Sequence, residues 1–353
     1  MTKKQKIIVA AATLGVILVS GLSWLIAELV IYKGTPSDTV WTSEDEFDAA
    51  AVVRLAKQAD KDFVILNITD VQFGDTLDGP WNKTFTENTV SELVKKTNPD
   101  LITVTGDMVW TRFSRHSFKR FVEFMEGLGI PWAPVFGNHD GEGNSDLNRL
   151  GDLLEQADNC LFEKGPGNIG GVGNYVLAIE QDGRIVHSLI MMDTHSSRTY
   201  EETGEWGYDH VYPDQIKWYE WVIDGIAGIN GGEPVTSTLF MHIPLYEYAV
   251  AYEQWAQGGF DESTGFGRNN EPVCCPPVNN GFFNVIKAAG STRDVVVGHD
   301  HINYSSVLYE GVRLTYGLKT GDRCYHDDSL NGGTVLTLNA RGEVRTEHVY
   351  ITF

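Results

Sequence analysis

Short apolar runs that end in polar residues alternate with helical segments over the first half of the chain. The stretches DFVILNITD (residues 62–70), PDLITVTGD (99–107) and PWAPVFGNHD (131–140) are mostly apolar and predict buried strands. Between them, residues 84–97 and 114–129 have the pattern of helices. Strands that alternate with helices in this way predict an α/β fold with parallel strands.

The second half of the chain continues with further apolar runs. TSTLFMH (236–242) and RDVVVGHDH (293–301) predict two more buried strands, each ending in histidine. The remaining predicted elements are strands at 174–180, 186–193, 306–309, 312–316 and 334–339, and helices at about 213–226 and 282–289. Because no repeat or second linker interrupts the pattern, we expect one domain over residues 44–353.

A long uncharged run precedes this domain. Three lysines stand before residues 7–27, which as a helix would span about 30 Å, the thickness of a bilayer core. We therefore predict a transmembrane signal anchor at residues 1–33, with the domain held outside the cytoplasm. A secretory signal that is cleaved, leaving a secreted protein, and a buried soluble helix are the alternatives.

The connection between that run and the first strand has two parts. Residues 34–43 are polar and predict a linker. Ser43 and Glu46 fit a capping box, which predicts a helix that continues to about Ala59.

Charge and cysteine content limit the partners. The formal net charge is −21, which argues against general binding of nucleic acid or anionic membrane because their phosphates would be repelled. Bound cations can reverse the field locally, so a small phosphate ester remains compatible with this charge. The cysteines could pair, form a vicinal disulfide in part, or stay free; they are Cys160, Cys274, Cys275 and Cys324.

Potential metal ligands stand at the end of five predicted strands. In open α/β sheets, ligands collect beyond the carboxyl ends of the strands, so these side chains are expected to meet. Mixed oxygen and imidazole ligands suit Mn, Fe, Zn or Mg, and their number exceeds what one ion needs. We expect two divalent ions, which together would clamp a phosphoryl group and activate a shared water. The residues are Asp70, Gln72, Asp107, Asn138, His139, His242, His299 and His301.

The same residues form recognisable motifs. GD at 106–107, GNHD at 137–140, the histidine at 242 and GHDH at 298–301 resemble, in order and spacing, the calcineurin-like metallophosphoesterases. Residues 207–222, 242–248 and 316–321 are similar to a branch of small proteins that resemble purple acid phosphatases. The resemblance implies a four-layer α/β/β/α sandwich and a phosphomonoesterase or phosphodiesterase in which a hydroxide bridging the two metals is the nucleophile.

The resemblance also implies a role for each ligand. Asp70 and His301 would bind the first metal, Asp107 would bridge both, and the second would be bound by Asn138, His242 and His299. His139 would protonate the leaving oxygen as general acid, and Asp140 would orient His139.

Two positions depart from the family pattern. Gln72 stands where the first motif usually has histidine, and its amide oxygen is a weaker ligand than imidazole in a soft site. Trp110 stands where purple acid phosphatases have a tyrosine ligand, so we expect no purple iron(III) chromophore. The departure at Gln72 keeps open an alternative, a weak or inactive binding protein on the same fold.

Two further histidines are candidates for substrate binding. His116 follows the second motif closely, and His195 follows another predicted strand. The aromatic-rich segment 244–281 could form a wall of the substrate cleft or pack on the core. The expected partner is a small or exposed phosphate ester, and no nucleic acid is expected.

Overall fold

The computed structural model describes residues 2–28, 30–74, 83–201 and 203–353. The helices in these residues are α1 (Lys3–Glu28), α2 (Lys83–Thr97), α3 (Ser114–Gly127), α4 (Leu147–Leu154), α5 (Pro213–Ile229), α6 (Glu247–Gln257) and α7 (Phe282–Ala289). The strands are β1 (Val53–Ala56), β2 (Phe63–Ile68), β3 (Leu101–Thr105), β4 (Trp132–Val135), β5 (Tyr175–Gln181), β6 (Arg184–Met191), β7 (Ser197–Thr199), β8 (Trp206–Tyr208), β9 (Thr236–Phe240), β10 (Gly265–Phe266), β11 (Thr292–Val297), β12 (Ser306–Tyr309), β13 (Val312–Tyr316), β14 (Gly332–Leu338) and β15 (Val344–Tyr350).

The first sheet has the strand order β15-β14-β2-β3-β4. Strands β2, β3 and β4 are parallel, with Ile65 opposite Leu101 and Ile102 opposite Trp132. Strands β14 and β15 continue the sheet in antiparallel pairing. The parallel pairing places the carboxyl ends of β2, β3 and β4 along one edge of the sheet.

The second sheet has the order β1-β5-β6-β9-β11-β13-β12-β10. Strands β6, β9, β11 and β13 are parallel neighbours at its centre. Strand β5 runs antiparallel to β6, and β12 antiparallel to β13. The carboxyl ends of β9 and β11 therefore also lie side by side, at one edge of this sheet.

The two sheets face each other across a shared core. Phe240 and Val296 of the second sheet belong to the same buried cluster as Ile65 and Val104 of the first. Leu239, next to Phe240, lies in a second cluster with residues of α5, α6 and α7. Helix α2 packs on β2 and β14 of the first sheet. The layers thus follow the order α/β/β/α, and the prediction of a mixed α/β sandwich is confirmed.

The prediction of a transmembrane helix is wrong. Helix α1 is present, but no helix in the described part of the chain is long and apolar enough to cross a membrane. The boundaries proposed at residues 33 and 43 stay predictions.

The helix predicted from Ser43 to Ala59 is absent. Asp45 and Asp48 instead accept backbone N–H groups in local turns, Thr42 at 2.7 Å and Ala50 at 2.9 Å. The chain then forms β1, which pairs with β5 at the sheet edge. Side chains that form hydrogen bonds with nearby backbone compete with helix formation, and in this segment the turns form instead of the helix.

The segment 244–281 packs on the core rather than forming only a wall. It contains helix α6, whose Tyr248 and Trp255 are buried. The Tyr248 hydroxyl donates to the Val295 carbonyl at 2.9 Å. All four cysteines of the chain lie in the described residues and carry free thiols.

Candidate metal centre

The predicted ligands meet at the carboxyl ends of five strands. Asp70 and Gln72 follow β2, Asp107 follows β3, and Asn138 follows β4 of the first sheet. His242 follows β9, and both His299 and His301 follow β11 of the second sheet. Ligand atoms of Asp70, Asp107 and His242 all lie within 4.8 Å of one another, and all three residues are buried. Side chains from both sheets therefore share one small space.

Left-handed backbone aims several of these side chains inward. Asp70, Gln72, Asp107 and His299 have φ values of 50°, 46°, 51° and 77°. Such conformations cost about 1–3 kcal/mol each and persist only where surrounding structure enforces them. Here the strand-end loops hold each other, since Gln72 N donates to the Asp107 carbonyl at 2.9 Å. Gly106 must lack a side chain, because a Cβ there would lie 2.5 Å from His242 Nδ1.

Asp107, Asn138, His242 and His299 form a group that we call the His242 site. His242 Nδ1 lies 2.8 Å from the Thr105 carbonyl, so it donates its proton there and Nε2 keeps a lone pair. That Nε2 lies 3.0 Å from Asn138 Oδ1 and 3.4 Å from Asp107 Oδ1. Nδ1 of His299 lies 3.3 Å from His242 Nε2, and Nε2 of His299 is buried without a hydrogen bond.

The His242 site fits a divalent cation. Nε2 of His242 and the Asp107 and Asn138 oxygens are all acceptors, and acceptors that face each other in a buried space repel. A cation among them would replace that repulsion with coordination. Imidazole nitrogen, amide oxygen and carboxylate oxygen together suit Mn, Fe or Zn.

Asp70, Gln72, Asp107 and His301 form a second group, the Asp70 site. His301 Nδ1 donates to the Tyr325 carbonyl at 2.9 Å, and its Nε2 lies 3.3 Å from Asp70 Oδ1. Asp70 Oδ2 accepts from the Thr69 hydroxyl at 2.7 Å, and Oδ1 is buried and faces His301. Asp70, Asp107 and His301 therefore point ligand atoms into this site.

The electrostatics of the Asp70 site are strongly coupled. Burial raises the pKa of Asp70, but His301, with His242 and Lys319, outweighs it and holds that pKa well below its usual range. Burial and Lys319 oppose protonation of His301, yet Asp70 raises the pKa of His301 to about 9. Burial, with the neighbouring His242, lowers the pKa of His299 well below its usual value. Without a metal, Asp70 and His301 thus form an ion pair, and His299 is neutral.

Gln72 does not present its oxygen to the Asp70 site. Its Oε1 accepts from Lys319 Nζ at 2.9 Å. Its Nε2 lies 3.3 Å from Asp107 Oδ2 and 3.3 Å from His301 Nε2. The residue predicted as a ligand therefore points an N–H donor at two ligand atoms. Lys319 belongs to the motif YGLKTG, and nothing in that motif signals that its side chain points into the site.

His139 lies beside the Asp70 and His242 sites. Its backbone N donates to Asp107 Oδ1 at 2.9 Å, and its Nε2 lies 3.9 Å from Asp107 Oδ2. On the other side of the ring, Nδ1 donates to Glu142 Oε2 at 2.8 Å. Burial lowers the pKa of His139, but Asp107 and Glu142 outweigh it, so the pKa is raised. The imidazole is 24% exposed, so substrate can reach it.

The Asp140 carboxylate contacts backbone groups of the neighbouring loops. Its Oδ2 accepts from Gly137 N at 2.8 Å and its Oδ1 from Val109 N at 2.9 Å. It therefore fixes the loops that carry Asp107 and Asn138, while Glu142 holds the His139 ring. Glu142 stands three residues after His139, a spacing that could have signalled this contact.

The two histidines predicted to bind substrate lie outside the cluster. His116 is exposed at the start of α3 and lines a surface cavity with Arg115, Lys119 and Arg149. His195 Nε2 lies 2.8 Å from Gln215 Oε1, and its ring stacks on Tyr212 at 4.0 Å. The contacts of His195 are thus with α5 and the residue before it, and not with the cluster.

The known proteins that this chain resembles are described as phosphoesterases or phosphatases. A family model described as calcineurin-like phosphoesterase matches residues 63–303. The chain is 27% identical over 307 residues to "Probable inactive purple acid phosphatase 14" of Arabidopsis thaliana, covering 77% of this chain and 73% of that protein. It is 29% identical over 229 residues to "Phosphatase DCR2" of Saccharomyces cerevisiae, covering 62% of this chain and 38% of that protein. A solved dimetal phosphatase from Danio rerio aligns with 78% of this chain and 93% of its own, at 11% identity and a TM-score of 0.47.

Proposed function

Because the chain belongs to the calcineurin-like phosphoesterase family, we propose that it hydrolyses phosphate esters with the help of two bound divalent metal ions. The observation that carries this proposal is the buried group of acceptor atoms on Asp107, Asn138 and His242, which a cation would satisfy. Ions bound there would polarise phosphoryl oxygens and activate water.

The protein's own residues supply positioning and a proton. Asp107 lies between the two sites, since Oδ1 faces His242 while Oδ2 faces Gln72 and His139. Glu142 holds the His139 ring so that Nε2 faces the cluster. A proton on that Nε2 is therefore placed to reach the leaving oxygen of an ester bound at the two sites.

The test is an assay of the full chain with para-nitrophenyl phosphate and bis(para-nitrophenyl) phosphate. It is run with Mn, Zn, Mg or Fe, and it also separates monoesterase from diesterase activity. His139→Gln should lower kcat by about 10²- to 10⁴-fold, because it removes the proton donor, while bound metal is unchanged. His116→Gln, an exposed histidine outside the cluster, should leave kcat and bound metal unchanged, whereas a rise in KM would support its predicted role in substrate binding. A folded protein with no turnover under any metal would refute the proposal.

The second candidate is a binding protein with weak or no catalysis. The donor that Gln72 points into the Asp70 site favours it. The Arabidopsis relative is itself named "probable inactive". The retained His139 and the acceptor cluster favour the enzyme. Phosphate ester that binds the metal-loaded protein without turnover would support the second candidate instead.

A further inference from the structure

We propose that Gln72 and Lys319 make the two metal sites unequal. The His242 site binds one ion tightly, and the Asp70 site binds its ion at least about tenfold more weakly, within the 10- to 100-fold range of outer-shell effects on metal affinity. This inference rests on the metal dependence in the proposed function, but not on turnover.

Lys319 fixes the orientation of the Gln72 amide. An ammonium group has donors and no acceptor, so the atom of Gln72 that lies 2.9 Å from Nζ must be the oxygen. Lys319 also donates to the Asp70 carbonyl at 3.0 Å, and its side chain is only 4% exposed. The buried lysine therefore has one stable position, and the Gln72 oxygen stays on its side.

The nitrogen of Gln72 consequently faces the Asp70 site. Nε2 lies 3.3 Å from both Asp107 Oδ2 and His301 Nε2, which are two of the atoms that an ion would need. An amide N–H cannot coordinate a cation, its hydrogen bond to Asp107 Oδ2 must break before that oxygen can do so, and it occupies the space beside His301 Nε2. Rotation of the amide would not help, because it would place NH2 against the Lys319 ammonium. The site is thus left with Asp70, Asp107 and His301 as protein ligands.

The His242 site carries no such obstacle. The Thr105 carbonyl accepts a hydrogen bond from His242 Nδ1, and Asp107 and Asn138 turn oxygens toward Nε2. Among the described residues, no side-chain amide or ammonium group donates to these atoms, and the neighbouring His299 Nδ1, 3.3 Å from His242 Nε2, is itself an imidazole ligand atom. The lysine charge also lies on the other side, against Asp70 and Gln72, where it opposes a second cation.

Two substitutions remove the obstacle in different ways. Gln72→Glu keeps an oxygen for Lys319 and puts a second oxygen in place of Nε2, so the donor becomes a ligand at nearly constant shape. Lys319→Met removes the ammonium, so the amide is free to turn its oxygen toward the ion. The matched control is Lys57→Met. Lys57 is likewise buried, at 6% exposure, and donates to a glutamine oxygen, Oε1 of Gln181, at 2.9 Å.

The experiment titrates the metal-free full chain with Mn²⁺. It reads the number and affinity of bound ions by equilibrium dialysis, and pairing of ions by the electron paramagnetic resonance spectrum. The wild type should bind one ion tightly and give the spectrum of an isolated Mn²⁺, with the second ion entering at least about tenfold more weakly. Gln72→Glu and Lys319→Met should each tighten the weaker site by about tenfold or more and give the spectrum of coupled ions earlier in the titration. Lys57→Met should behave as the wild type.

Two results would overturn the inference. One is two ions of equal affinity in the wild type, and the other is a folded Gln72→Glu chain whose weaker site is unchanged. Thermal melting shows whether each variant folds. If Lys319→Met does not fold, Gln72→Glu alone decides the test. Equal sites with turnover would leave the proposed function intact, whereas one tight ion without turnover supports this inference and counts against that function. A wild type that binds no Mn²⁺ refutes both.

Discussion

Replacement of Gly137 by alanine should disable the metal centre by a steric route. A Cβ on Gly137 would lie 2.3 Å from the backbone N and 2.3 Å from Oδ1 of Asp107, about 1 Å inside ordinary contact distance. Gly137 is not among the glycines with positive φ, so alanine suits its backbone conformation. The clash with Asp107 is therefore the cause of any loss.

The size of the effect follows from what Asp107 does. Its backbone cannot move cheaply, because Gln72 N donates to the Asp107 carbonyl at 2.9 Å. Movement of the carboxylate away from His242 Nε2 and the backbone N of His139 relieves only the clash with Oδ1, so the backbone N of Asp107 must shift as well. Such overpacking costs about 1–3 kcal/mol of stability. Since Asp107 serves both sites, we expect the affinity for both ions to fall by at least about tenfold, as it does when ligand orientation is disturbed.

Gly141→Ala is the matched control. Among the described residues, a Cβ on Gly141 would meet only the Leu147 side chain, with Cδ2 at 3.4 Å and Cγ at 3.6 Å, which are ordinary contacts. Bound metal is measured after desalting, and the melting temperature is measured for both metal-free variants. Gly137→Ala should lose metal and melt lower, while Gly141→Ala should do neither. Full metal content in Gly137→Ala, or equal loss in Gly141→Ala, would refute the reasoning.

Two buried groups far from the metal centre should shape the dependence of stability on pH. Burial raises the pKa of Asp294 to about 7 against the opposing effect of Arg313, whereas the unfolded chain releases this proton near 3.8. The free energy of unfolding is therefore lost as pH rises through that interval, and Asp294→Asn should melt higher than the wild type at pH 8 but not at pH 4. Burial lowers the pKa of His187 to about 3. As the pH falls, His187 is therefore protonated near pH 6.5 in the unfolded chain but only near pH 3 in the folded chain. From this group alone, the free energy of unfolding should fall by ~1.4 kcal/mol for each pH unit below 6.5. When urea unfolding is measured at several pH values, the free energy of unfolding of His187→Gln should depend less on pH than that of the wild type. Identical pH profiles for either variant and the wild type would contradict the assignment concerned.

The sequence predicts the sheets and the meeting point well, because both depend on patterns that are local. Apolar runs such as the one before Asp107 predict buried strands, and parallel strands bring their carboxyl ends to one edge. The elements that were missed depend on competition or on partners elsewhere. Residues 43–59 contain the capping signal of Ser43 and Glu46, but aspartates form turns there and β1 pairs with β5, far along the chain. Helix α6 lies in the segment 244–281, and it is not predicted from the sequence because the aromatic residues of that segment suit either a core or a cleft.

The finer chemistry of the site was beyond the sequence for a similar reason. Lys319 and Gln72 are 247 positions apart, and nothing in either motif indicates that one side chain fixes the other. The family resemblance implies that Asp140 orients His139. Adjacent residues at the start of a helical turn point in different directions, however, and Glu142, three positions on, lies on the same side as His139.

The ligands of the His242 site come from opposite layers of the sandwich. Asn138 and His242 are 104 positions apart and belong to different sheets, yet their side-chain atoms lie 3.0 Å apart. An ion held between them would act as a removable cross-link that closes a long loop of chain. Metal supply would then govern how readily the two sheets separate, so that a protease could digest the metal-free protein faster even where its secondary structure is intact.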